Sequence, residues 1–209
     1  MDITIVFFLG LILAFVGMIP PGLLNMAAAK ISLKEGYSRG VVFSIGVCVT
    51  VIIQTTIAVT FARYLTKHPD IINVLERVAL VLFILLTIYF FVFAKKEPKP
   101  DIEENVKSKH SRFFLGMFLA CLNVLPIPYQ AYMSITLAGF GWLTFDYTSV
   151  TSYIAGVGTG TFVMLYIYIF FFDKIQGKSF ITQKNMNYFI GTITAIISIV
   201  TLINIIKEF

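Results

Sequence analysis

Charge is scarce in this chain: 13% of its 209 residues are Asp, Glu, Lys or Arg, about half the share usual in soluble domains. Histidine and cysteine occur twice each and tryptophan once. The two cysteines, Cys48 and Cys121, both lie inside apolar runs, which excludes an extracellular disulfide framework. No His, Asp or Glu falls deep in any apolar run. An intramembrane hydrolase or transferase, which needs nucleophile, base and orienting group at one depth, is thereby excluded. The same lack argues against a carboxylate-lined site for a divalent cation, and no cofactor box is needed to explain the aromatics. No run alternates apolar and polar residues over the roughly ten positions of a barrel strand. The most charged stretch, Lys95 to Arg112, nearly cancels in sign and has no interleaved aromatics, which excludes a nucleic-acid surface. Met1-Asp2 lacks the basic start of a cleaved signal peptide, so the first run is expected to be retained.

What is present is apolar. Hydrophobic residues make up 58% of the chain, against roughly 45 to 50% in soluble domains. The apolar runs extend from about Ile3 to Ala29, Val41 to Ala62, Ile71 to Ala94, Phe113 to Phe140, Tyr147 to Phe172 and Tyr188 to Ile206, each near or above the ~20 residues that cross a bilayer as helix. The expected fold is all-α, with six transmembrane helices. Lys30, Lys34, Glu35 and Arg39 separate the first two runs, and Arg63, Lys67, His68, Pro69 and Asp70 the next two. Lys and Arg crowd one side of a six-helix arrangement: Lys30, Lys34, Arg39, the linker residues Lys95, Lys96, Lys99, Lys107, Lys109 and Arg112, then Lys174, Lys178 and Lys184. Only Arg63, Lys67, Arg77 and Lys207 fall on the other. The crowded side is expected in the cytoplasm and both termini outside.

The chain repeats itself. FFLGLILAFVGMIP at Phe7 to Pro20 returns as FFLGMFLACLNVLP at Phe113 to Pro126. Two halves follow, 1–94 and 113–209, joined by the linker 95–112, and three spans in each half make the repeat inverted. Pro20 lies about 15 Å from Lys30 and Pro126 about 21 Å from Arg112 at the helical rise, so both prolines are expected near the middle of a ~30 Å hydrocarbon slab. Proline removes a donor and clashes with the preceding turn. The freed carbonyls must then face protein, water or a ligand. Paired broken helices of this kind point to a transporter's binding site.

The break motifs supply the expected substrate-binding residues. The first contains Pro20, Pro21, Gly22 and Asn25; the second contains Asn123, Pro126, Pro128, Tyr129 and Gln130. Carboxamides donate and accept at once, and a half-helix starting after Gly22 aims its N-terminal dipole at a carboxylate, which suits a zwitterionic solute. Gln54 of the second run joins them, with Thr55, Thr56 and Tyr132 as further neutral lining candidates. Asp146 and Glu76 sit at membrane edges, where charges reach water cheaply. Gly156, Gly158 and Gly160 allow close helix packing. Trp142, Phe145 and Tyr147 at one face, with Tyr89, Phe93, Tyr166 and Tyr168 toward the other, are expected in interfacial belts.

PPGLLNMAAAKISLKEG at Pro20 to Gly36 resembles the signature of the LysE-type family of amino-acid exporters, which includes the homoserine and threonine resistance proteins; Asn123 to Gln130 is similar to the motif of that family's fourth helix. The resemblance implies export of amino acids or similar small metabolites across a bacterial inner membrane, driven by the proton motive force and often carried out by a dimer. Gly46 is followed by Val47, Cys48, Val49 and Thr50, where family members often carry an acid, so the coupling ion stays unassigned. Two alternatives are a thiol-disulfide membrane electron carrier, for which Cys121 lies in the right helix but repeats against Phe15, and a metal-ion exporter of a related superfamily.

Overall fold

The computed structural model describes residues 2–19, 22–68 and 108–176 continuously, with further single positions between 71 and 93 and between 192 and 206. Pro20, Pro21, Glu76, Lys178, Lys184 and the linker as far as residue 107 lie outside the described residues. Every described element is helical: α1 (Ile3–Gly17), α2 (Leu23–Glu35), α3 (Tyr37–Lys67), α4 (Lys109–Leu122), α5 (Pro126–Gly139) and α6 (Tyr147–Gln176), with a π-helical turn at Tyr89–Phe93. Among the described residues, α3 and the part of α6 from Tyr147 to Phe171 are long and apolar enough to cross a membrane. α4 and α5 make a third such span when counted together, with a bend of 66° between them.

Local chemistry sets the helix ends. Asp2 caps α1, accepting from the Thr4 N–H at 2.9 Å, and Ser108 caps α4, its Oγ accepting from the Ser111 N–H at 3.2 Å. Asp146 accepts from the Ser149 N–H at 3.0 Å at the start of α6. The carboxyl of Asp146 is held below its ordinary value first by the Thr144 hydroxyl and then by that N–H, because both bonds favour the charged form. α2 and α3 are joined by one residue, Gly36, at φ +99°, backbone that a side chain resists.

The chain forms two compact units. One comprises 1–66 and 100–175, the other 67–99 and 176–209. The units therefore do not coincide with the sequence halves: each draws residues from both.

Within the first unit, small residues let main chains touch. The buried stripe of α1 is Val6, Gly10 and Ala14, and that of α4 is Arg112, Gly116 and Ala120, at the same four-residue spacing. A Cβ on Gly10 would collide with the Tyr153 carbonyl of α6, and one on Gly156 or Gly160 of α6 with the Phe7 or Leu11 carbonyl of α1. α4 meets α3 likewise: a Cβ on Gly116 would strike the Phe43 carbonyl and one on Gly46 the Phe113 carbonyl. Thr50 Oγ1 also donates to the Met117 carbonyl at 3.2 Å. The two crossings correspond contact by contact. Shifting α1 by 106 and α3 by 110 carries Gly10 to Gly116, Phe43 to Tyr153, Gly46 to Gly156 and Thr50 to Gly160. Large apolar side chains on the far faces, Ile3, Phe8, Ile12, Phe114 and Phe118 among them, are exposed, as faces turned toward lipid are.

Candidate functional site

Helix ends stand at both motifs. α1 ends at Gly17 and α2 begins at Leu23 with Gly22 as its N-cap; Gly22 is extended and contributes no side-chain cap. The first intrahelical bond of α2 runs from the Met26 N–H to the Gly22 carbonyl at 3.0 Å. The N–H groups of Leu23 and Leu24 head the helix and have no partner within it. The second break differs in chemistry. α4 ends at Leu122 and α5 opens on Pro126, with Pro128 two residues on, so two donors are missing from its first turn.

Side chains from neighbouring helices hold the ends of the broken segments. Gln54, buried in α3, donates through Nε2 to the carbonyls of Ala120 at 3.1 Å and Asn123 at 2.9 Å. Those two acceptors fix which way the amide points, and its Oε1 stays buried with no donor among the described residues. At the first break the Met18 carbonyl accepts from Asn25 Nδ2 at 2.8 Å, and the Ile19 carbonyl from the Tyr168 hydroxyl at 2.7 Å. Tyr168 is buried, which corrects its expected place in an interfacial belt; Phe145 likewise packs against the core. Trp142, Tyr147 and Tyr166 are exposed.

Tyr129 ties the second break to the first helix. Its hydroxyl donates to the Leu13 carbonyl at 3.0 Å, and its ring lies 3.3 Å from where a Cβ on Gly17 would sit. Gln130 is buried beside it and accepts from the fully buried Tyr153 hydroxyl at 2.6 Å. Asn123 and Pro126 are half-buried, and Gly22 and Pro128 exposed. Pro20 and Pro21 lie outside the described residues. Thr55 and Thr56 donate to carbonyls one turn back in their own helix, and Tyr132 is exposed; among the described residues the two threonine hydroxyls are thus engaged away from the breaks. Cys48 is buried and Cys121 exposed, both as free thiols.

No family model matches the chain, and neither a curated protein nor a solved structure matches it.

Two features escaped sequence reasoning. Tyr168 shares a helical face with Tyr153, Val157, Thr161, Met164 and Leu165, all buried; that spacing of three and four was the signal available for it. The other is the ion pair between Glu35 and Arg112, both buried. Read as boundary charges, they carried no sign of pairing across 77 positions. Removing one partner of such a pair costs about 3–5 kcal/mol, because the other is left buried and bare.

Proposed function

We propose that this chain is a secondary transporter of a bacterial inner membrane. In this reading it exports amino acids or similar small zwitterions by alternating access around two helix breaks. Its halves are inverted three-helix repeats, 1–94 and 113–209, with the linker on the cytoplasmic side. The solute docks between the breaks near the bilayer midplane and leaves as one repeat moves against the other. The carboxylate faces the Gly22 end of α2, where N–H groups and dipole favour an anion. The ammonium faces the acceptor-rich second break, beside Gln54 and Asn123. Proton motive force is the expected drive, as the resemblance to LysE-type exporters implies.

The observation that carries this reading is the bond from Tyr129 to the Leu13 carbonyl. It brings the first turn of one half's second segment against the first segment of the other half. The equivalent glycine crossings of α1 with α6 and of α4 with α3 support the repeat independently.

Metabolite profiling of the medium, with and without the protein, identifies the exported solute. Transport of that solute by inside-out vesicles is then compared for the native chain, Pro20→Ala and Pro126→Ala. Both variants should insert normally and lose at least ten-fold in rate. Undiminished transport by both would overturn the reading.

A further inference from the structure

Glu35 and Arg112 take no part in the site described above, yet they are the most completely buried charges among the described residues, their side chains 2% and 5% exposed. The contact is fork to fork: Arg112 Nε donates to Glu35 Oε2 at 2.8 Å and Nη2 donates to Oε1. Arg39 Nη1 donates to the Glu35 main-chain carbonyl at 2.8 Å, which anchors the end of α2 against α3. Glu35 is the last residue of α2 and Arg112 lies in the first turn of α4. The pair thus fastens the second half of one broken segment to the first half of the other. It stands about 15 Å from Asn25 and about 17 Å from Asn123 along the helices, between the polar zone at the breaks and the linker end of the bundle.

Packing alone does not call for charge there. Arg112 holds the place in the stripe Arg112, Gly116, Ala120 that Val6 holds in Val6, Gly10, Ala14. Val6 belongs to an apolar core with Leu143 and Tyr153, each 2% exposed or less. The equivalent position carries hydrocarbon in α1 and a paired charge in α4. Parting those charges leaves two bare ions in a low-dielectric interior. A solute that is itself doubly and oppositely charged relieves both, its carboxylate taking the bidentate place on the guanidinium and its ammonium taking the place on the carboxylate. A simple anion relieves only Arg112, and a simple cation only Glu35.

We propose that Glu35 and Arg112 form an entry subsite at the linker end that admits zwitterionic α-amino acids by exchanging their internal ion pair for one with each end of the solute. This rests on the exporter reading and names the subsite that selects for its substrate class. The test is thermal unfolding of the purified full-length protein with L-alanine, L-leucine and L-threonine, beside their N-acetyl derivatives as anions and their amides as cations. The native protein should be stabilised by at least one free amino acid and by none of the blocked forms. Glu35→Gln should shift the preference at least ten-fold toward the N-acetyl form, and Arg112→Gln toward the amide. Because a single change leaves a bare charge, the apolar pair Glu35→Leu with Arg112→Leu serves as the folded comparison, and should lose response to the free amino acid at least ten-fold. Stabilisation of the native protein by blocked forms as strongly as by free ones overturns the inference, as does an unchanged preference in the apolar pair. In either case the exporter reading survives. Absence of any response to free amino acids overturns the inference, and the exporter reading then stands or falls on the vesicle transport of Pro20→Ala and Pro126→Ala.

Discussion

The residues that matter most at the breaks are those that complete another helix's hydrogen bonds. Gln54 satisfies the Asn123 carbonyl and shares that of Ala120 with the Asn123 N–H, and Tyr168 satisfies the Ile19 carbonyl of the first break. A buried acceptor left without its donor costs about 1–3 kcal/mol, so Gln54→Leu and Tyr168→Phe should each destabilise by about that much. Tyr132→Phe, at an exposed position, should change nothing. Thermal unfolding in detergent gives the ranking, and equal losses at all three positions would refute these roles. Asp146 provides a pH signature. Its carboxyl is lowered in the folded state by Thr144 and Ser149. Its contribution is therefore complete above the ordinary value of 3.8 and lost as pH falls below that into the range of the folded group. Asp146→Ala should lower stability at neutral pH and erase the difference from the native protein in strong acid. A constant difference across that range would contradict the assignment. Asparagine, which caps without a charge, should retain most of the neutral-pH stability.

At the scale of elements, the backbone crossings predict matched mutational effects. Gly46 meets the Phe113 carbonyl as Gly156 meets that of Phe7, so Gly46→Ala and Gly156→Ala should each cost about 1–3 kcal/mol or more by overpacking. Gly139 has open space around its missing Cβ, and Gly139→Ala in the last turn of α5 should be neutral or gain about 0.5–1 kcal/mol. Unfolding of the three variants measures this, and a harmless Gly46→Ala beside a costly Gly156→Ala would break the correspondence. These elements were legible in the sequence where the chain punctuates itself. Gly22 stands at the start of α2 and Pro126 at the start of α5, and the aligned Gly10 and Gly116 both lie on buried stripes. Their partners were not legible. A repeat shows which residues are equivalent, not which helix each will cross.

For the whole molecule, counting charges by side treats every Lys and Arg as a marker of orientation. Arg112 was counted so, although it is buried in an ion pair, because hydropathy records that a charge sits at a boundary and not whether an opposite charge waits across the bundle. Apolar residues such as Phe8, Ile12 and Phe118 are exposed without partners, which costs nothing against hydrocarbon. The compact units could not be foreseen either: 1–66 with 100–175 is an interleaving of both halves that only helix crossings produce. Those crossings have a mechanical meaning. Where helices touch through glycine main chains, a single added methyl acts at a fulcrum: it would lever two long helices apart rather than disturb one residue.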